Sequence, residues 1–402
     1  MKKLLIIILI ITFACSVFSQ ERVSYTFYGK SYNGKVIFKL RANNKCSCID
    51  VSYKQLIPRN VTHLTMQGEI TDNVIYFMRD SLPNLTYLDL SQVFIVPDNP
   101  SVSKKSLFRY EVRYPYNFDH KSRIPDNAFR NTKIDSIILP SGVVRIGENA
   151  FIGCKNLQYI SLPDSLRQIW TAAFFGCESL SVIKIPEKAK VYIHNDAFSR
   201  CRSLTEVVNS HNIVDMGDWI DIKNGISGHF GVFGDCTNLR SFTFSNTISA
   251  IERRTFIGCK SLQSVIFPDS LKRIDQSAFF NCTALTDIKL PHGLRVINSR
   301  AFGNCTGLTT ITLPESIERI EEETFVNCTG LKKISVYWQN PESVFVNNSN
   351  FGVREQKSTG IWITTFNNKR DCILEVPFGT KEKYLALETW KNFQIIERKQ
   401  EK

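Results

Sequence analysis

The feature that most constrains the fold is a short motif, Phe-x-x-Cys, which returns at nearly constant intervals. Its cysteines are Cys154, Cys177, Cys201, Cys236, Cys259, Cys282, Cys305 and Cys328. The steps between them are 23, 24, 35, 23, 23, 23 and 23 residues, so one step carries about 12 extra residues. A strict period of roughly 20 to 29 residues predicts a repeat solenoid, because stacked units bury a continuous core that no unit could bury alone.

Each repeat contains the elements of one coil. The segment Leu157-x-x-Ile160-x-Leu162 alternates like a strand with one buried face, and Pro163 ends it because proline cannot continue a hydrogen-bonded ladder. A second apolar pair forms the opposite wall, and Ala-Phe turns the corner. The sequence therefore predicts an α/β-type repeat solenoid, mostly β, with coils of about 23 residues, an N-terminal β cap and a short C-terminal helical cap.

Equivalent residues of successive coils fall into columns, because neighbouring strands stand about 4.8 Å apart. The predicted structural ladders are formed by Phe151, Phe174, Phe198, Phe256, Phe279, Phe302 and Phe325 and by the eight motif cysteines. Buried free thiols are the favoured state, since stacked side chains keep their Cβ atoms beyond the roughly 3.5–4.5 Å of a disulfide. A bridge stays open as an alternative in an exported chain, as do the states of Cys46, Cys48 and Cys372.

The full unit reads Ala-Phe-x-x-Cys-x-x-Leu-x-x-Ile-x-Leu-Pro-x-Ser-Leu-x-x-Ile and runs from about residue 128 to 336. It resembles the repeat of the BspA-like leucine-rich repeat proteins of bacterial cell surfaces, with its cysteine ahead of the strand. The flanks Val61-Thr-His-Leu and Cys372-Ile-Leu-Glu-Val-Pro resemble the opening and closing segments of that group. The resemblance implies a leucine-rich repeat array on a surface protein that binds host or neighbouring-cell proteins.

The chain is predicted to have five parts. They are a signal peptide at 1–19, an N-terminal β cap at 20–58, degenerate repeats with an irregular loop at 59–123, regular leucine-rich repeats at 124–338 with an insertion at 209–231, and a C-terminal repeat and cap at 339–402. The first part has two lysines, a short apolar run and then small residues, which is the pattern of a secretory signal. A lipid anchor at Cys15 is the alternative, although Phe13 suits a lipoprotein processing site poorly.

Charge and hydropathy narrow the classes of partner. The formal net charge is +12, which favours anionic partners, although a soluble surface with more Lys than Glu explains it equally well. An exported chain makes nucleic acid an improbable partner. After the signal, no segment reaches about 18 apolar residues, so no transmembrane segment is expected. The predicted location is the cell surface or the medium of a Gram-negative bacterium.

Catalytic chemistry is not indicated. The six histidines form no His-x-x-x-His or Cys-His metal spacing, and the motif cysteines lie about 23 residues apart. No Gly-x-Ser-x-Gly elbow or phosphate-binding glycine loop occurs. His211, Asp215, Asp218 and His229 share the insertion, where solvated loop residues are the better interpretation. We therefore expect no enzyme activity, no metal and no cofactor.

Binding surface is expected at exposed positions of the repeats. Strand residues between the buried ones face the predicted concave sheet, among them Tyr159, Lys184, Lys289 and Lys333, and the sequence indicates no aromatic stripe there. The irregular loop adds residue types common in binding hot spots, namely Arg109, Tyr110, Arg113, Tyr114 and Tyr116. The alternative is that these loop residues pack over the junction between early and regular repeats.

A basic column is a second candidate surface. It consists of Arg145, Arg167, Lys272, Arg273, Arg295 and Arg319. It predicts an anion-binding ridge unless acidic neighbours such as Glu148, Asp275 and Glu321 pair with it. The expected function is non-catalytic protein binding or adhesion to an extracellular protein of host matrix or neighbouring cells. The alternative is a glycan-binding or structural accessory protein of the outer surface.

Overall fold

The computed structural model describes residues 25–32, 35–42, 57, 59–96, 123–217, 231–347, 349–351, 353–356, 362–365 and 372–399. The chain divides into two compact units, Met1–Ala189 and Lys190–Lys402. In each unit the described backbone is mostly short parallel strands that recur about every 23 residues, with few helices. The mostly-β repeat solenoid predicted from the sequence is therefore confirmed.

The described elements of the first unit follow in chain order. They are β1 Tyr25–Tyr32, β2 Lys35–Ala42, β3 His63–Thr71, α1 Asp72–Ser81, β4 Tyr87–Val96, β5 Arg123–Ile124, β6 Ser136–Ile138, β7 Arg145–Ile146, β8 Tyr159–Ser161, β9 Gln168–Ile169 and β10 Val182–Lys184. Strands β1 and β2 form an antiparallel hairpin, and β2 lies beside β3.

Two parallel sheets form the first unit. Its main sheet has the strand order β3-β4-β6-β8, and β10 lies beside β8. Its second sheet contains β5, β7 and β9, with Arg145 opposite both Arg123 and Gln168. Central strand residues such as Ile137 and Ile146 are fully buried. From β6 and β7 onward, each coil therefore contributes one strand to each sheet and turns its apolar side chains inward.

The corner between the two sheets depends on left-handed backbone. Asn127 and Asn149, which precede the Ala-Phe pairs, have φ values of 57° and 55°, and Gly153 before Cys154 has 69°. Asparagine and glycine adopt this conformation with the least strain, which explains their frequency at the corner. The phenylalanine that follows points inward, so the ring of Phe151 stacks on that of Phe174 with centroids 5.1 Å apart.

The described elements of the second unit also follow in chain order. They are β11 Val191–Ile193, β12 Glu206–Val208, a 3-10 helix Ser210–Asn212, β13 Ile213–Met216, β14 Ser241–Thr243, β15 Ala250–Ile251, β16 Ser264–Ile266, β17 Arg273–Ile274, β18 Asp287–Lys289, β19 Val296–Ile297, β20 Thr310–Leu313, β21 Arg319–Ile320, β22 Lys333–Val336, a 3-10 helix Pro341–Ser343, β23 Phe345–Val346, β24 Val353–Gln356, β25 Trp362–Thr365, β26 Ile373–Val376, α2 Lys381–Leu385 and β27 Gln394–Glu397.

The second unit repeats the two-sheet arrangement. Its main sheet includes the parallel pair β14-β16 and the five-stranded order β18-β20-β22-β26-β27, and its second sheet includes the order β15-β17-β19-β21-β23. Strand β13 pairs in parallel with β11, so residues 213–216 of the predicted insertion continue a solenoid ladder. Residues 218–230 of that insertion lie outside the described residues.

Stacked phenylalanines form the centre of the second unit. The rings of Phe279 and Phe302 lie 5.2 Å apart at 3°, and those of Phe302 and Phe325 lie 5.6 Å apart at 3°. Phe233 and Phe351 extend this ladder, and Phe129 extends that of the first unit. The ladders therefore include three rings beyond those predicted from the motif.

The thiols of the motif cysteines join one coil to the previous one. In seven pairs the Sγ donates to the carbonyl oxygen of a phenylalanine one coil earlier. The pairs are Cys154–Phe129 (2.9 Å), Cys177–Phe151 (3.2 Å), Cys236–Phe198 (3.1 Å), Cys259–Phe233 (3.2 Å), Cys282–Phe256 (3.3 Å), Cys305–Phe279 (3.3 Å) and Cys328–Phe302 (3.1 Å). All nine cysteines of the described residues are free and buried. Cysteine thus supplies a small apolar side chain with a weak donor.

An aromatic cluster closes the second unit. Trp390 is 1% exposed and lies against Trp338, Tyr384 and Phe393, and the Tyr384 hydroxyl donates to the Trp338 carbonyl oxygen at 2.8 Å. The short C-terminal helix predicted from the sequence is α2, which ends at Leu385 before the chain turns back to begin β27. No helix within the described ranges is long and apolar enough to span a membrane.

Candidate functional site

The main sheets present alternate side chains outward, and these are the predicted binding positions. Tyr159, Lys184 and Lys289 are exposed, as expected for residues that flank a buried central isoleucine. Lys333 is less open, since its Nζ lies 3.0 Å from Glu375 Oε1. The structure therefore leaves three of these four side chains available, two of them charged and one aromatic.

The outward face of the first unit carries an aromatic row. It consists of three rings, His63, Tyr87 and Tyr159, with Ser136 between the last two. These residues occupy equivalent positions on β3, β4, β6 and β8, each paired with the next in parallel register. The rings of His63 and Tyr87 stack with centroids 5.5 Å apart, whereas Tyr159 is 56% exposed. The sequence indicates no aromatic stripe on the regular strands from Tyr159 onward, and His63 and Tyr87 lie on strands before them.

The row was not predicted from the sequence because two of its strands come from degenerate repeats. β3 and β4 lack the Phe-x-x-Cys motif, and their pairing carries a register shift between Thr65 and Gln67. The residues between β4 and β6 also break the 23-residue spacing that would align Tyr87 with Tyr159. A signal existed in Leu82-Pro-Asn-Leu-Thr-Tyr-Leu, where Tyr87 stands as Tyr159 does in Leu157-Gln-Tyr-Ile.

Polar groups surround the rings of the aromatic row. The Thr62 hydroxyl lies 3.0 Å from His63 Nδ1. Burial, together with the charges of Asp89 and Tyr159, raises the pKa of Tyr87 above its ordinary value. The Tyr87 phenol therefore stays neutral at physiological pH and can both donate and accept a hydrogen bond. Such side chains present an apolar body and a polar tip to a partner.

The same face of the second unit differs in character. Its equivalent outward residues are small or charged, and they are Ser241, Ser264, Asp287 and Thr310. Near its end Glu375 accepts hydrogen bonds from Lys333 at 3.0 Å and Ser335 at 2.9 Å. Burial raises the pKa of Glu375, but these hydrogen bonds and Lys333 outweigh it and hold that pKa below its ordinary value. The network joins β22 to β26.

Most arginines of the predicted basic column already form an ion pair or a hydrogen bond within the protein. Arg273 pairs with Asp275 at 2.8 Å, and Arg319 pairs with Glu321 at 3.2 Å. Arg295 lies 3.2 Å from Glu318, and Arg167 donates to the backbone carbonyl of Asp164 at 2.9 Å. The second unit therefore lacks a continuous anion-binding ridge within its described residues. Arg145 of the first unit instead lies over the Trp170 ring.

Several predicted positions lie outside the described residues. They are Arg109, Tyr110, Arg113, Tyr114, Tyr116, Asp218 and His229. Of the other two members of the proposed histidine and aspartate group, His211 is exposed in a 3-10 helix and Asp215 lies on β13. Among the described residues, no group of three or more His, Cys, Asp or Glu side chains could hold a metal ion.

Comparisons with known proteins agree with this architecture. Residues 122–220 and 229–351, more than half of the chain, match the family described as "BspA type Leucine rich repeat region" in 6 copies. Among curated proteins, none matches this chain. The match spans both units and includes Tyr159 and Arg145, but not His63 or Tyr87.

Solved structures of bacterial repeat proteins are also similar. A leucine-rich repeat protein of Bacteroides ovatus is 22% identical over 84% of this chain and 98% of its own, with a TM-score of 0.38. A leucine rich cell surface protein of Faecalibacterium prausnitzii is 21% identical over 93% and 98%, with a TM-score of 0.38. The leucine-rich repeat protein of T. pallidum is 18% identical over 71% and 87%, with a TM-score of 0.34.

Proposed function

This chain belongs to the BspA-type leucine-rich repeat family, and from that premise we propose that it is a non-catalytic, exported protein that binds an extracellular protein partner. Membership in the family supports a protein-binding repeat scaffold. The binding face is the outward side of the main sheet in the first unit. The observation that carries this assignment is the aromatic row His63, Tyr87, Ser136 and Tyr159 on four adjacent strands.

The geometry of the row favours a protein over a glycan. A sugar ring would need a free aromatic face, but two of the three rings, His63 and Tyr87, stack on each other at an interplanar angle of 24°, which leaves Tyr159 as the one open ring of the row. Their edges and the Tyr87 hydroxyl remain for contact, and tyrosine is enriched in protein interfaces and their hot spots. Val182 on the neighbouring strand is 43% exposed and extends the apolar contact beside Tyr159.

Two further features support the rest of the proposal. The amino-terminal residues have the pattern of a secretory signal, which supports export to the cell surface or the medium. In the described residues, the conspicuous hydrogen-bonded clusters, such as the one around Glu375, connect strands of the scaffold. A repeat scaffold that uses its polar groups in this way supports a binding role without catalysis.

A pull-down tests the assignment. The mature chain and a Tyr87→Ser/Tyr159→Ser variant are exposed to extracellular matrix proteins, with a glycan array in parallel. Ile266→Ser is the matched control, because Ile266 is 63% exposed on the main sheet of the second unit. We expect captured protein to fall at least about tenfold for the double variant and to persist for the control, since hot-spot truncations cost about 2 kcal/mol or more.

Unchanged capture by the double variant, with a normal melting temperature, would place the binding face elsewhere. Binding to the glycan array that disappears in the double variant would favour the accessory glycan-binding function instead.

A further inference from the structure

Two arginines on the second sheet of the second unit are neutralised by an acid two residues later. Arg273-Ile274-Asp275 and Arg319-Ile320-Glu321 both show this pattern, with N–O distances of 2.8 Å and 3.2 Å. Residues i and i+2 of a strand lie on the same face, so each acid stands beside its arginine. The equivalent segment of the first unit reads Arg145-Ile146-Gly147 and has no acid.

The backbone around Gly147 also excludes an acidic residue at this position. A Cβ there would stand 2.7 Å from the backbone nitrogen of Asp126 and 2.8 Å from the carbonyl oxygen of Ile124. Backbone atoms cannot yield as a flexible side chain would, so this coil cannot carry an acidic side chain at Gly147 without moving. The missing counter-charge is therefore built into the local packing.

Arg145 consequently makes no ion pair or hydrogen bond with any described residue. Its guanidinium lies 4.5 Å from the ring centroid of Trp170, over the ring face. On the neighbouring strand Arg123 is committed to Asp72, with 2.7 Å between Nη2 and Oδ2. Arg145 is therefore a half-buried cation with an aromatic wall on one side and an already neutralised arginine on the other.

Asp126 and Asp72 favour the charged guanidinium from a distance, but neither carboxylate forms an ion pair with Arg145 among the described residues. Asp126 Oδ1 accepts the backbone N–H of Glu148 at 3.0 Å, and Glu148 is exposed. Burial lowers the pKa of Arg145 to about 10, while Asp126 and Asp72 raise it and Arg123 lowers it further. The guanidinium is charged at neutral pH, and its partial desolvation strengthens any ion pair that it forms.

We infer that Arg145, between Arg123 and the face of Trp170, is a docking point for a carboxylate on an acidic segment of a partner protein. A guanidinium binds a carboxylate through two parallel hydrogen bonds. The indole face of Trp170 suits the aliphatic part of a glutamate side chain. This site lies on the second sheet, so it does not rest on the aromatic row.

Calorimetric titration with hexaglutamate tests the inference, with hexaglutamine as the uncharged probe. The two variants are Arg145→Gln and Arg273→Gln, which remove the same charge from a free and from a neutralised arginine. At an ionic strength near 50 mM, we expect hexaglutamate affinity to fall about tenfold in Arg145→Gln and less than about twofold in Arg273→Gln. Hexaglutamine should bind neither the native chain nor the variants.

Equal weakening in the two variants would show that hexaglutamate senses only net charge and would overturn the inference. Absence of hexaglutamate binding by the native chain would overturn it as well. If Arg145→Gln does not fold, Arg145→Lys replaces it in the test. This variant keeps the positive charge but cannot form the two parallel hydrogen bonds of a guanidinium with a carboxylate. Affinity should then fall about threefold, whereas Arg273→Lys should match the native chain.

Discussion

Replacing Phe302 by alanine is expected to lower the free energy of unfolding by about 3–5 kcal/mol. Phe302 is fully buried between the rings of Phe279 and Phe325, at 5.2 Å and 5.6 Å. Truncation therefore removes contacts to both neighbouring coils and leaves a cavity that a ladder of parallel strands cannot close. Urea denaturation followed by circular dichroism measures the change as a shift in midpoint.

Phe378→Ala is the control for this change. Phe378 is 55% exposed in a turn before α2, so the same truncation should cost less than about 0.5 kcal/mol. Similar losses for the two variants, or none for Phe302→Ala, would show that the phenylalanine ladder is not the core of the second unit.

Stability is expected to fall steeply above about pH 8.5, the ordinary pKa of a cysteine thiol in an unfolded chain. Burial raises the pKa of Cys328 to about 12 and those of Cys236, Cys259 and Cys282 well above the ordinary value. Between those two pKa values the folded chain keeps a proton that the unfolded chain releases. Each such thiol therefore lowers the free energy of unfolding by up to about 1.4 kcal/mol per pH unit, and its contribution is intact below about pH 8.5.

The Cys328→Ala variant isolates one thiol from the other groups that titrate in this range. Its midpoint in urea is compared with that of the native chain at pH 7.5, 8.5, 9.5 and 10.5. We expect the variant to lose stability less steeply above pH 8.5, with the two slopes equal below it. Parallel slopes over the whole range would contradict a buried, neutral Cys328 with a raised pKa.

The ladders were the most predictable part of the molecule. A fixed period places the same residue at the same height in every coil, so the spacing of the cysteines is enough to infer parallel stacking. Phe233 stands in a Phe-x-x-Cys motif and could have been included. Phe129 and Phe351 have no cysteine three residues later, so the motif alone misses them.

The hydrogen bonds of the thiols were not predictable in the same way. Sequence spacing gives the column of cysteines but not the direction of each Sγ, which the corner conformation sets. In the structure the thiol of Cys282 points to the Phe256 carbonyl oxygen at 3.3 Å. The sequence pattern would look the same if the cysteines only packed as small buried side chains and their thiols made no hydrogen bonds.

The candidate binding face was predicted only in part, because exposed positions carry no period. Tyr159 follows from its place in a regular repeat, whereas His63 and Tyr87 depend on how two irregular repeats pair with β6. The sequence already placed Arg145 in the basic column. Its lack of a partner became visible only when Gly147 was compared with Asp275 and Glu321 in three dimensions.

The central claim is that the repeated residues build the scaffold while the aromatic row of the first unit binds the partner. Photo-crosslinking from position 159, the exposed end of that row, tests it most directly. Benzoylphenylalanine replaces Tyr159 in one sample and Ile266 in another, since both positions are exposed on a main sheet. After irradiation with the extracellular protein captured in the pull-down, we expect a crosslinked product from position 159 and none from position 266. A product from position 266 alone would contradict the assignment of the binding face.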